Sequence, residues 1–333
     1  MAERKRFEWK LRTRTLQLGD RALIVAILNI TPDSFSDGGK YTDPDRAVAR
    51  ALELQELGAD IIDIGAESTK PGAARIPEAE ELRRLVPVLK KLDGKLKVPI
   101  SVDTYKAAVA ERAGEYGAEI INDPSGFTWD TAMAKTVSRL ELGFVLNHMR
   151  GTPETWAKMG PIKDLIVTVR QDLEASISRT LRDGVQKAAV VIDPGIGFGK
   201  RKEQNAELIA HLGAFTTLGM PLLVGPSRKQ FLKQETERAT EFATAAAVTA
   251  AILNGAHLVR VHDVDSMRPV VEVAESIFKA GIVVEKEEEG PKGPKGPRED
   301  PGVNRMHAGA RRPHESLSKR LVPARRPPGR DRG

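Results

Sequence analysis

Residues 24–39 read IVAILNITPDSFSDGG. Five apolar residues, three of them β-branched, run from Ile24 to Leu28, the pattern of a strand buried on both faces. The run stops at polar Asn29. It then passes into Thr, Pro, Asp, Ser and Gly, the composition of a hydrogen-bonding loop. A buried strand that ends in a polar residue and a long loop is how an α/β protein presents chemistry at the carboxyl edge of its sheet.

The same grammar recurs along the chain. Short apolar runs at 59–65, 98–102, 118–122, 142–146, 188–192, 221–224 and 257–262 each end in a polar or glycine-rich loop. Helical segments fit between and after them. Asp43-Pro44 opens one, with Asp at the N-cap and Pro at the first position. A second spans about 77–92, glutamates first and Lys90 and Lys91 last, as the helix dipole favours. Long segments follow at 162–182, 240–254 and 265–280. Eight strands alternating with eight helices at a period of about 30 residues predict an α/β fold, a single (β/α)8 barrel. A doubly wound open sheet is the alternative, but no Gly-x-Gly-x-x-Gly follows the first strand.

The barrel is expected over 24–283, with additions at both ends. In residues 1–23, Phe7, Trp9 and Leu11 alternate with Glu8, Lys10 and Arg12, and Leu16 and Leu18 precede a turn at Gly19-Asp20. This predicts a β-hairpin capping the barrel's amino-terminal end. From 284 the chain becomes rich in Glu, then Gly, Pro and Lys, then Arg and Pro. Too few apolar groups remain to offset the ordering entropy, so residues 284–333 are expected to be a disordered tail.

Of the 333 residues, 40% are hydrophobic and 29% charged, a globular profile. There is no cysteine, which excludes disulfides, thiolate metal sites and a cysteine nucleophile and fits a reducing cytoplasm. No long apolar run or signal-peptide core is present, so no membrane association is expected. The net charge of +6 needs locating: residues 303–333 carry nine Lys and Arg against Glu315 and Asp331, so the rest of the chain is close to neutral. Any tendency to meet nucleic acid belongs to the tail, where a solvated extension is the simpler expectation. The segment 240–254 is rich in alanine, which permits close helix approach. It is the expected contact of a homodimer.

In a barrel the ends of different strands converge on one pocket. Here they deliver Asn29, Asp63, Asp103, Asn122, His148, Asp193, Lys229, Arg260 and His262. Asp103, Asn122 and Asp193 offer acceptors and one amide to a planar heterocycle with several N–H donors. Arg260 and His262 stand two apart on one strand and face the same way. With Ser227, Arg228 and Lys229 they suit an anion such as a diphosphate, and Asn29 could offer an oxygen to a Mg2+ that shares it. No zinc-type His cluster or Ser/His/Asp order is present.

Eight motifs now stand in order: ILNITPDSFSDGG, DIGAESTKPGA, SVDT, IND, HMRGTP, DPGIGFGK, SRK and RVHDV. Together they resemble the dihydropteroate synthases, transferases of folate biosynthesis, over roughly 23–280. The resemblance implies that Asp103, Asn122, Asp193 and Lys229 hold a pterin. Asn29 would meet Mg2+, and Arg260, Val261 and His262 the diphosphate, with Lys70 assisting. Thr69, Ser227 and Phe198 would border the p-aminobenzoate pocket, and Asp37 would lie beside the reacting carbon on a closing loop. The substrates would be a pterin diphosphate and p-aminobenzoate, and sulfonamides would be inhibitors. The chain departs from the family pattern at Lys70, where Arg is common, at Ala66 for Gly, at Asn147 for Met and at Pro226, often Met. The related methyltetrahydrofolate-dependent methyltransferase barrel needs no diphosphate site, and a silent pterin-binding paralogue needs no closing loops.

Overall fold

The computed structural model describes residues 4–31, 43–70 and 72–288. The expected hairpin is there: β1 (Phe7–Lys10) pairs antiparallel with β2 (Thr15–Leu18). Eight parallel strands follow: β3 (Leu23–Asn29), β4 (Ile61–Gly65), β5 (Ile100–Asp103), β6 (Ile120–Asp123), β7 (Gly143–Asn147), β8 (Val190–Asp193), β9 (Leu223–Val224) and β10 (Leu258–Val261). Their order is β8-β7-β6-β5-β4-β3-β10-β9, and a bridge between Ile192 and Leu222 joins the two ends. The sheet is therefore a ring. Among the described residues, α1 (Pro44–Glu56), α2 (Glu78–Leu92), α3 (Ala107–Glu115), α4 (Met133–Arg139), α5 (Leu165–Arg182), α6 (Lys202–Ala210), α7 (Glu237–Leu253) and α8 (Val264–Glu288) each follow one of its strands.

Local chemistry accounts for the boundaries. Asp43 accepts the amide of Asp45 at 2.9 Å and caps α1, with Pro44 in its first turn. Thr236 accepts the amide of Ala239 at 3.1 Å, so α7 begins three residues before the expected 240. The last helix also runs past the expected 280 and 283, to Glu288. Gly281 is a weak helix former but is followed by good ones, Glu285, Lys286, Glu287 and Glu288, and the next glycine is Gly290. The tail expected to be disordered lies outside the described residues from Glu289 on. No helix among the described residues is long and apolar enough to cross a membrane.

Alternation along the strands divides the core in two. Ile24, Ala26, Leu28, Ile62, Ile64, Phe144 and Ile192 pack outward against the helices. Leu23, Val25, Ile61, Ile120, Val145, Val191, Leu223 and Leu258 face the barrel axis, where Trp9, Leu11 and Leu18 of the hairpin segment join them. The indole N–H of Trp9 donates to the carbonyl of Ala189 at 2.8 Å. The hairpin thus plugs the amino-terminal end of the barrel and leaves the carboxyl end as its mouth.

Candidate active site

Counting on by twos from the axial residues puts Asn29, Asp63, Asn122, Asn147, Asp193 and Arg260 on the inner face at the mouth. Asp103 stands beside Asn122 in the strand register. Val261 is corrected by the same rule. It falls on the opposite parity from Arg260, is fully buried and packs in the outer layer against the helices, so its side chain does not reach the mouth.

Asp63 organises the floor. Its carboxylate accepts from Ser101 Oγ at 2.6 Å, Asn122 Nδ2 at 3.0 Å and Arg260 Nε at 2.6 Å. Arg260 also donates through Nη2 to Asp103 Oδ2 at 2.7 Å. Arg260 is therefore a bridge between two carboxylates as well as a cation at the mouth. Asp193 accepts the amide of Gly195 at 2.7 Å through Oδ1. The side chain of Asn147 donates to the carbonyl of Pro124 at 2.7 Å, and its buried Oδ1 has no protein partner.

Burial sets the electrostatics of this floor. Desolvation pushes Asp103 up to about 7, against the pull of Arg260 and with the push of Asp63. It pushes Asp193 up to about 6, against the Gly195 amide and Lys229. Lys229 is drawn down to about 8 by burial and by Arg260, with Asp193 and Asp103 opposing. Arg260 is held above its ordinary value by Asp63 and Asp103 despite its own burial. Burial thus moves two acids up and a lysine down, toward one another, within one floor.

The opposite flank is cationic. Ser227 Oγ lies 2.9 Å from His262 Nδ1 and accepts the His262 amide at 3.2 Å. In the tautomer in which the serine donates to Nδ1, the ring keeps Nε2–H as a donor. Burial, followed by Arg260, Arg228, Lys229 and Lys70, draws His262 down to about 3, so the ring is neutral. These four cations form a positive field around one neutral donor. Arg228 holds its place with φ of 54°, a strained left-handed backbone, and pairs with Glu241.

The loops bring the remaining residues. Lys229 Nζ lies 4.0 Å from the centre of the Phe198 ring, and Trp156 meets that ring edge-on at 5.6 Å. Thr69 is part-buried and Lys70 exposed on the loop after β4. That loop is anchored at Glu67, which accepts from Tyr105 at 3.0 Å and pairs with Lys106. It meets the loop after β7 where the Gly72 amide donates to the Pro153 carbonyl at 3.2 Å. Ala66, one of the departures, packs in the outer core. Asp37 and its loop lie outside the described residues.

Among the described residues no group of three or more His, Cys, Asp or Glu could hold a metal. A Cβ at Gly65 would lie 3.5 Å from Asn29 Oδ1 and 3.9 Å from Asp103 Oδ2. The bare glycine keeps room between these oxygens. One amide oxygen at an uncrowded mouth fits a Mg2+ that keeps waters and phosphate oxygens, not one caged by protein. The sequence reading brought Asp63 to the pocket without a role and left Ser101 out, and Asn147 entered only as a departure. Parity along β4, β5 and β7 is the signal that finds them.

A ring of strands whose carboxyl ends set an acid and amide floor beside a cationic flank defines a barrel enzyme for a polar heterocycle carrying an anion. A family model described as pterin binding enzyme matches residues 25–262. The chain belongs to that family, and within it to the dihydropteroate synthases. It is 40% identical over 265 residues to dihydropteroate synthase from Synechocystis sp., covering 78% of this chain and 92% of that one. It is 40% identical over 269 residues to the Bacillus subtilis enzyme, covering 80% and 92%. Among solved structures, the Xanthomonas albilineans enzyme with 4-aminobenzoic acid is similar at a TM-score of 0.76 and 38% identity, over 82% of this chain and 98% of that one. The same enzyme in complex with 7,8-dihydropteroate gives 0.73 and 36%, over 81% and 98%.

Proposed function

We propose that this barrel joins 6-hydroxymethyl-7,8-dihydropterin diphosphate to p-aminobenzoate, giving 7,8-dihydropteroate and diphosphate. One observation carries the reading: a floor of Asp103, Asn122 and Asp193 and a flank of Arg260, His262, Lys229 and Lys70 share a single mouth. The floor suits a ring that is rich in N–H donors. The flank suits the anion attached to it. Neither half alone calls for the other.

In this reading the pterin lies on Asp103, Asn122 and Asp193, with Lys229 donating to a ring carbonyl or nitrogen. The C–O bond to the diphosphate breaks, and the aryl amine's lone pair forms the new C–N bond at the methylene carbon. Arg260, Lys70 and the Nε2–H of His262 receive the charge on the leaving diphosphate. Thr69, Ser227 and Phe198 hold the amine, and Asp37 stands by the developing cation. The amine proton leaves to solvent or diphosphate. Asn29 would hold Mg2+, which neutralises phosphate charge when bound. Little covalent work falls to the protein, so the rate rests on positioning and electrostatics.

Three of the four exposed large apolar side chains among the described residues, Val167 of α5 being the other, support a second part of the proposal. Phe242 of α7 and Val273 and Ile277 of α8 are 48–64% exposed, and these two helices pack side by side. A homodimer through this face would cover them.

Purified protein given the pterin diphosphate and Mg2+ should release diphosphate only when p-aminobenzoate is added. Absence of release, with the pterin still bound, would overturn the assignment. By calorimetry, Lys229→Ala should weaken binding of the pterin ring. Arg260→Ala should weaken the diphosphate contact and, because Arg260 also holds Asp103, the ring contact with it.

A further inference from the structure

The last residue of the DPGIGFGK motif has no part in the chemistry above, yet its side-chain nitrogen, like the Asp63 carboxylate, has three hydrogen-bond partners. Lys200 Nζ donates to the carbonyls of Gly195 at 2.8 Å, His148 at 3.1 Å and Phe198 at 3.2 Å. Burial draws Lys200 down to about 7 against the pull of Asp193; in its ammonium form the group has three protons, so all are spent on main chain and none remains for a substrate. The carbonyls come from two loops, after β7 and after β8.

The loop is shaped to make this nest. Gly195 and Gly199 have φ of 76° and 70°, which turns successive carbonyls inward. A Cβ at Gly195 would sit 1.8 Å from the His148 carbonyl oxygen, and one at Gly199 would sit 2.2 Å from that of Arg150. Three carbonyl dipoles aimed at one point repel one another unless a cation lies between them. The nest also joins parts of the site. Gly195 gives its amide to Asp193, and the His148 amide donates to the Asp193 carbonyl at 2.8 Å. Phe198, whose carbonyl is the third acceptor, carries the ring under Lys229.

We propose that Lys200 is the positioning residue of the amine side of the mouth: its ammonium in a three-carbonyl nest locks the loops after β7 and β8 together and so places Phe198. The proposal rests on the reading that Phe198 borders p-aminobenzoate. Its reach is selective. Arg260, Asp63, Asp103 and Asn122 are tied to one another and not to this nest, so the diphosphate flank and the Asp103–Asn122 half of the pterin floor should stay in place, while Asp193 and Lys229 border the nest.

The test is steady-state kinetics of the full chain against each substrate, with Lys200→Ala and Lys200→Met. Losing charge-assisted hydrogen bonds of this kind should raise KM for p-aminobenzoate by about 10- to 100-fold. KM for the pterin diphosphate should move far less. Added methylammonium should enter the vacated nest of Lys200→Ala and restore KM saturably, while tetramethylammonium, which has no N–H, should not. Lys200→Met fills the same space without charge and should stay impaired with either ion. Wild-type KM values in folded Lys200→Ala, equal loss for both substrates, or absence of methylammonium rescue would each overturn the proposal. If Lys200→Ala does not fold, the selective KM change in Lys200→Met decides. If neither folds, the lysine holds the barrel and not the subsite, and the proposal falls. Failure of the wild type to turn over would instead strike the parent reading.

Discussion

Arg260 holds two carboxylates at once, and that is its largest structural consequence. Asp63 is fully buried, and Asp103 is pushed up to about 7 even with the guanidinium present. Arg260→Met would leave two acids facing each other away from water. The ligand-free protein should then lose about 3–5 kcal/mol in urea denaturation, the cost of breaking a buried pair. Adding Asp63→Asn should recover part of it. A second residue sets acid sensitivity. His257 accepts the Leu222 amide at Nδ1 (3.1 Å) and donates from Nε2 to the Lys5 carbonyl (2.9 Å). Burial draws it down to about 4, helped by Arg4 and opposed by the bond to Lys5. The unfolded chain binds the proton more readily, so this contribution is complete above pH 6.5 and is lost as pH falls toward 4. Between pH 7 and 5 the stability advantage of wild type over His257→Gln should shrink by about 2 kcal/mol. Chemical denaturation at both pH values checks it. Neither arrangement could be read from sequence, because each joins residues more than thirty apart whose meeting depends on the closed ring.

At the scale of elements, the strands were legible because a parallel sheet buried on both faces needs unbroken β-branched runs, and these are hard to mistake. The ends were less legible. Strands β5 and β8 begin two residues later than their apolar runs, and β9 shrinks to Leu223–Val224, since Pro221 has no amide and the Leu222 amide goes to the His257 ring. The side-chain parity of Val261 was available, since Arg260 beside it points inward. What alternation could not give is the loops, where Lys200, Phe198 and Arg228 take positions set by backbone turns with positive φ in their vicinity. The hairpin was legible through Trp9 and Leu11, and its weight can be measured. Trp9→Ala removes a side chain that is 1% exposed, and it should cost about 3–5 kcal/mol by denaturant midpoint. Because the plug lies at the opposite end from the mouth, KM for both substrates should hold wherever the variant is folded.

For the whole molecule, the testable surface is the joined face of α7 and α8. The alanine-rich segment suggested it through small side chains. The structure adds large ones: Phe242 is 64% exposed and Val273 60%. Phe242→Glu with Ile277→Glu should convert a dimer to a monomer by sedimentation or light scattering. An unchanged mass would show that the face is not the contact. The hairpin has one more consequence, and it concerns time. Trp9 meets Ala189 across 180 residues, and Arg4 meets Glu275 across 271. A segment made before the barrel is thus among the last to find its place, because its dock exists only after β8, β9 and α8 have been made. Until then the indole of Trp9 and the apolar edge beside it wait without a partner. The hairpin acts as the latch on the barrel's completion.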